Sequence, residues 1–347
     1  MPRFVTALLD WFDTHARPLP WRQDATPYHV WLSEILLQQT RIAAVLDAYR
    51  RFLKQYPTIE ELAQGDDATL MKLWEGLGYY SRARNLKKCA QIVAEQGGFP
   101  RTAEELQKLP GIGPYTAGAI SAIAFNQPAV AVDGNVARVL SRLLGRTLSR
   151  DETAEILRPC IPAGKARVFV QAWMELGEIV CLPHGTPHCD ACPLRTHCKA
   201  LKTNRISELP AKPPRSARPV IPLTVFHLTS PDGRIALQKR PDKGLLAGLW
   251  EYPNCAETLS IEQTKKWLEE KGFVVNSITP EPATRHLFTH LEWQMTNFAG
   301  AVSPQLPDFT WVTSEELETR YALPTAFRNS KTSRKAHGIT KTTAIHS

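Results

Sequence analysis

The sequence predicts a multidomain protein, an all-α half followed by an α+β half. Through the first 200 residues, apolar positions recur at three- and four-residue spacing, as in helices that bury one face. Beyond residue 220 the spacing drops toward two, and β-branched and aromatic residues collect in short runs. Between these regions "KTNRISELPAKPPRSARPVIP" is rich in proline and basic residues and has no period, which predicts an extended linker over 202–220. A chain of 347 residues is long enough to build a core on each side of it.

Each element follows from local pattern. From Pro27 to about Tyr56 the apolar positions Trp31, Ile35, Ile42, Val45, Leu46, Tyr49, Phe52 and Leu53 have helical spacing. Similar patches cover 59–63, 67–76, 82–96, 102–108, 114–124, 134–144, 151–158 and 165–180, so 1–201 reads as one helical domain. In the second domain, 221–327, the runs "VIPLTVFHL", "RIALQKR", "FVVNSI" and "LEWQMTNFAG" predict strands, with one helix at 261–271. The segment 328–347 has almost no apolar content and is expected to be a disordered basic tail.

Lys and Arg number 42 against 34 Asp and Glu, a net charge of +8, which favours a polyanionic partner without requiring one. The apolar run after Arg3 ends at Asp10, short for a signal peptide, and no run approaches the ~18 residues of a membrane span, so a cytoplasmic protein is expected. Of seven cysteines, Cys181, Cys189, Cys192 and Cys198 crowd into a C-x7-C-x2-C-x5-C pattern. In a reducing compartment such a cluster points to metal rather than disulfides. One C-x2-C knuckle with two flanking cysteines suits a 4Fe–4S cubane, while zinc stays open because His184, His188 and His197 are close by.

The stretch "LQKLPGIGPYTAGAI" puts Gly111 and Gly113 at the mouth of a helix, where unsatisfied N–H groups receive an anion or simply form a capping turn. Glu34, in "WLSEILLQQT", sits on a mostly apolar helix; it is either a solvated helix residue or a desolvated carboxyl with a raised pKa. Asp133, in "AVDGNVARVL", follows an apolar run and precedes a helix, the place of an N-cap.

Together, "LPGIGPYTAGAI", "VDGNVARVL" and the four cysteines resemble the helix-hairpin-helix DNA glycosylases of the endonuclease III superfamily, over about residues 10–200. With "WLSEILLQQTRI" and "GLGYYSRARNL" the resemblance narrows to the MutY-type adenine DNA glycosylases, although their first two cysteines are separated by six residues and here by seven. The resemblance implies a helix-hairpin-helix glycosylase fold, a 4Fe–4S cluster and a monomer acting on duplex DNA with A opposite 8-oxoguanine or G. Gly111 and Gly113 would then approach a DNA phosphate. Glu34 would protonate adenine N7 and later help activate water, and Asp133, with Asn135 beside it, would face the positive charge that develops on the sugar. Tyr115 stands where bifunctional relatives carry a lysine; a phenol forms no imine, so the product strand should stay uncut, and the resemblance implies a bond from Tyr115 to Asp133. Gln39, Thr40 and Tyr79 are expected at the gap left by the flipped base, and Trp21, Arg22 and Gln171 at the adenine itself.

"LQKRPDKGLLAGLWEYPN" resembles the start of a Nudix domain. The helix that collects magnesium in Nudix hydrolases corresponds to "KKWLEEKGF", where Lys265 and Lys266 replace the required Arg and Glu, so the fold is expected to persist without the hydrolase. In MutY-type proteins this domain reads 8-oxoguanine through a Phe-Ser-His loop, here Phe288, Thr289 and His290. The competing expectations are a bifunctional glycosylase/lyase for oxidised pyrimidines and a Nudix nucleotide hydrolase.

Overall fold

The computed structural model describes residues 3–211, 217–241 and 243–332, with side chains as far as residue 328. It divides into two units: one reaches Gly65 and resumes from Arg84 to the linker, and the other joins Asp66–Ala83 to the C-terminal half. No helix among the described residues is long and apolar enough to cross a membrane.

In the first unit the predicted helical patches are helices. The 27–56 patch is two of them, Pro27–Leu37 and Ile42–Gln55. Thr26 caps the first by accepting the His29 N–H, and Pro27 suits its first turn. It ends where Gln39 takes φ 58°, a left-handed conformation that interrupts the helix and sets Gln39 and Thr40 on a short loop. Pro27–Leu37 packs on Pro114–Ile123, and Ala166–Ile179 packs on Arg3–His15, Pro114–Ile123 and Gly134–Leu144. Trp31, Leu32, Phe169, Trp173 and Leu176 are buried in this unit, each such large side chain contributing about 1.5–3 kcal/mol of hydrophobic stabilisation.

The second unit is built on a mixed sheet of seven strands: β1 Val220–Thr229, β2 Ile235–Lys239, β3 Trp250–Glu251, β4 Asn254–Cys255, β5 Val274–Leu287, β6 Glu292–Ser303 and β7 Thr310–Val312. The order is β3-β2-β1-β6-β5, with β4 on β1 and β7 on β2; β1 and β6 run parallel and the other pairs antiparallel. Alternation along the strands fills two cores: Leu223, Val225, Trp293 and Met295 pack with Phe327, and Phe226, Leu228, Phe298 and Val302 with Leu268. β5 runs nine residues past the predicted strand because it lies at the end of the strand order, where Pro280 and Pro282 need not donate to a ladder on both sides.

Three boundaries differ from expectation. The 202–220 linker is fixed to the helical unit as far as Ala211: Arg142 Nε donates to the Leu209 carbonyl at 2.9 Å and the Ala211 N–H to Thr147 Oγ1 at 2.9 Å. Leu209 is buried, an apolar anchor that a proline-rich composition conceals; residues 212–216 lie outside the described residues. The helix Thr325–Thr332 extends past the expected start of the tail at 328, held by buried Phe327, and 333–347 lie outside the described residues. Finally, 66–83 packs with the C-terminal unit. Glu75 accepts the Leu323 N–H at 3.0 Å, pairs with Lys72 at 2.9 Å and with Arg328, and Lys72 Nζ reaches the Leu317 and Tyr321 carbonyls at 3.4 Å.

Candidate active site

Glu34 projects from Pro27–Leu37 and is 5% exposed. Its Oε2 is buried without a hydrogen-bond partner. Burial pushes its carboxyl up to about 7; the Tyr115 hydroxyl and Arg22 work against this and Asp133 adds to it. Glu34 is therefore a carboxyl that still carries its proton in a large share of molecules near neutrality. Burial and the neighbouring carboxylates push the Tyr115 phenol well above its ordinary range, so it stays neutral.

Asp133 is the N-cap of Gly134–Leu144, as its position predicted. Its Oδ1 accepts the Val136 N–H at 2.7 Å and its Oδ2 accepts from Asn135 Nδ2 at 3.0 Å. Gly177 permits this arrangement: a Cβ there would lie 2.7 Å from Asn135 Cβ. Arg138, unremarked in the sequence, ties the carboxylate to the cysteine loop by donating to Asn135 Oδ1 at 2.9 Å, Gly177 O at 2.7 Å and Cys181 O at 2.9 Å. One implied contact differs. Asp133 takes its bonds from Val136 and Asn135, whereas Tyr115 donates to Met174 Sδ at 3.9 Å and bears on Glu34, because its helix faces Pro27–Leu37.

Glu34, Tyr115, Asp133 and Gln39 line both a cavity of about 440 Å³ and an open groove of about 1000 Å³. Trp21, Arg22, Thr40, Asn135 and Gln171 line the cavity, so the residues expected at adenine share it with both carboxylates. Trp21 is buried edge-on against Tyr49 at 5.2 Å, and Gln171 Nε2 donates to Arg167 O at 3.2 Å. Sequence reasoning missed Arg17 and Glu175 on the same wall. Gln171, Glu175 and Glu178 lie four and three residues apart on Ala166–Ile179, a polar stripe on a largely apolar helix that could have revealed them.

The groove includes the hairpin glycine Gly113. Gly111 has φ 78° and a Cβ there would meet Asn85 Cβ at 2.9 Å, so the turn itself requires glycine. Gly113 has an ordinary φ of −89° and nothing within 4 Å of a notional Cβ, so the folded chain does not require glycine there. Its bareness leaves the start of Pro114–Ile123 open to close approach by an anion.

Cys181, Cys189, Cys192 and Cys198 line one cavity with Val139, Leu143, Leu194 and Leu201, and Arg142 Nη1 donates to Cys181 Sγ at 3.3 Å. His184, His188 and His197 are absent from that lining. Four sulfurs around an apolar space with a cationic donor fit a polynuclear cluster of thiolate-bound metal.

In the second unit, Phe288 packs edge-on between His286 at 4.6 Å and Trp293 at 4.9 Å, while Thr289 and His290 are exposed at the β5–β6 turn. Tyr79 belongs to this unit; it is 46% exposed, has φ 46°, and its hydroxyl is hydrogen-bonded to that of Thr289. On the helix Ile261–Glu270, Lys265 pairs with Glu269 at 3.9 Å and Lys266 with Glu270 at 3.8 Å, so ammonium groups occupy the carboxylates that would gather magnesium.

The HhH-GPD superfamily of base excision DNA repair proteins matches residues 32–162, and the NUDIX domain matches 224–331. Adenine DNA glycosylases from Rattus norvegicus and Homo sapiens are 35% and 34% identical, covering 94% of this chain and 76% and 72% of their own lengths. The enzyme of that name from Buchnera aphidicola subsp. Baizongia pistaciae is 33% identical over 83% of each chain. Among solved structures, a thermostable thymine-DNA glycosylase aligns with TM-score 0.53 and 30% identity, covering 58% of this chain and 95% of its own. A trapped endonuclease III–DNA covalent intermediate aligns with TM-score 0.51 and 27% identity, covering 58% and 94%.

Proposed function

The chain belongs to the adenine DNA glycosylases of the HhH-GPD superfamily, and we propose that it removes adenine opposite 8-oxoguanine or guanine from duplex DNA, leaving the strand uncut. The target nucleotide leaves the stack and enters the 440 Å³ cavity against Trp21, Arg22 and Gln171. Glu34 gives its proton to adenine N7 as the C1′–N9 bond breaks and its electron pair goes to the base. Asp133, held in place by its cap and by Asn135, faces the oxocarbenium charge. Water then adds at C1′ and its proton returns to Glu34. Tyr115 supplies no amine, so no imine forms and no strand is cleaved.

The observation that carries this reading is Glu34: a buried carboxyl with a bare oxygen, raised to about 7, beside a capped aspartate at one cavity. The four cysteines would hold a 4Fe–4S cluster that cross-links the 181–198 loop to the helices behind Asp133, and about four irons per chain are expected by elemental analysis. Zinc in their place would overturn that assignment. Gly111 and Gly113 would receive a backbone phosphate, Gln39 and Thr40 would face the vacated stack, and Tyr79, Phe288, Thr289 and His290 would read the opposite base.

The deciding experiment is single-turnover base release from duplexes carrying A opposite 8-oxoguanine, A opposite G, and an oxidised pyrimidine, with and without alkali. Adenine release with strand breakage only after alkali is expected. Release of the oxidised pyrimidine, or efficient borohydride trapping, would establish the lyase alternative instead.

A further inference from the structure

We propose that Glu175 is a positioning residue for this reaction: it clamps Arg17 and Arg22, aiming Arg22 at the expelled base while screening Glu34 from the guanidinium charge. This rests on the adenine-release reading above and adds a residue that the reading does not use.

Glu175 is 1% exposed and lines the cavity. Its two oxygens are fully engaged: Oε1 accepts the Arg17 N–H at 3.0 Å and Arg17 Nε at 2.7 Å, and Oε2 accepts Arg17 Nη2 at 2.9 Å and Arg22 Nη2 at 2.8 Å. A carboxylate with every oxygen bonded cannot serve as acid or base. Burial pushes it up, but the bonds from Arg17 and Arg22 prevail and hold it at about 2, so it is an anion whenever the protein is folded near neutrality. Arg22 is fixed further by Nη1 donating to the Arg17 carbonyl at 3.1 Å, which restricts how its guanidinium faces the cavity.

Charge placement gives the clamp its second effect. Glu34 is faced by Tyr115 from Pro114–Ile123, by Asp133 from the cap of Gly134–Leu144 and by Arg22 from Pro20–Gln23; Arg17, Arg41, Glu175 and Glu178 complete the charged wall. Arg22 favours the ionised form of Glu34, the form that has no proton to give. A carboxylate bonded directly to Arg22 cancels much of that pull, so an arginine can bind the base without disarming the acid beside it.

The test is the isosteric variant Glu175→Gln, followed by adenine release at subsaturating enzyme between pH 5 and 9, a rate that reports the free protein's groups. Removing the anion lowers the proton affinity of Glu34. The alkaline limb should move to lower pH by about half a unit or more, with a loss of about threefold or more on that limb and a smaller loss near pH 5.5. Adding Arg22→Gln should return the limb toward its original position while base binding weakens. Arg17→Gln provides a check of opposite sign, since Glu175 then answers Arg22 alone and the limb should move to higher pH; it decides the matter if Glu175→Gln does not fold. An unmoved limb in both single variants, or a loss uniform across pH, would reduce Glu175 to a buried structural ion pair and overturn the proposal. Carbon-13 NMR titration of the Glu34 carboxyl, assigned with Glu34→Gln, reads the same displacement without turnover. If the unaltered protein released no adenine, the functional reading would fail while the titration still decided the role of Glu175.

Discussion

Two helices in this molecule carry glutamates in opposite surroundings. On Pro27–Leu37, Glu34 is 5% exposed with one oxygen bare, and burial lifts its carboxyl to about 7. On Ile261–Glu270, Glu269 and Glu270 stand more than half exposed, each paired one turn away with a lysine. At Glu34 desolvation outweighs the pull of Arg22 and raises the carboxyl's proton affinity, whereas on the other helix solvent screens each lysine–glutamate pair to ~0–1 kcal/mol. The proposed mechanism uses the first carboxyl as its acid, while on the second helix lysines stand beside both carboxylates.

The largest expected effect comes from breaking the first side of the comparison. Glu34→Gln should lower adenine release by about 10²–10⁴-fold while duplex binding persists, because an amide of nearly the same shape has no acid proton. Asp133→Asn should be comparably slow; near-normal single-turnover rates in either variant would remove that residue from the mechanism.

The raised pKa of Glu34 also makes stability depend on pH. Its folded-state pKa of about 7 exceeds the ordinary 4.5, so the folded state binds the proton more tightly. That contribution is complete below the unfolded pKa and is lost as pH rises through about 7, a change on the order of 3 kcal/mol at most. Chemical denaturation at pH 5 and pH 8 should show it in the unaltered protein and show a smaller difference in Glu34→Gln. Equal pH dependence in the two would contradict the burial argument.

On the second unit, replacing Phe288, Thr289 and His290 with alanine should reduce discrimination between A opposite 8-oxoguanine and A opposite G by about 1–3 kcal/mol, with far less effect on the A:G rate. Equal losses on both substrates would make the loop structural. Tyr79→Phe removes only the hydroxyl bonded to Thr289, and discrimination should change by about 0.5–1.5 kcal/mol. At the small end, the protein should release neither pyrophosphate nor phosphate from nucleoside di- and triphosphates in magnesium; measurable hydrolysis would show that the lysine-paired helix still works as a Nudix site.

Periodicity was sufficient for the helices of the first half and for the main strands of the second, because burial of one face imposes a repeat that needs no partner to be recognised. The places of Glu34 and Asp133 were legible for the same kind of reason: a carboxyl in an apolar helix and an aspartate ahead of one are local patterns. The later part of β5 was hidden by Pro280 and Pro282, whose cost depends on where the strand sits in the sheet. The anchoring of Leu209, the packing of 66–83 on Leu317–Leu323, the bond between Tyr79 and Thr289, and the clamp of Arg17 and Arg22 on Glu175 were invisible. Sequence by itself determined which residues prefer a helix, a strand or a cap, since those preferences are settled within a few positions. Tertiary structure decided which charges meet and which carboxyl is buried with a bare oxygen, because residues 153 and 158 positions apart must be brought into a low-dielectric contact before their pKa values can diverge.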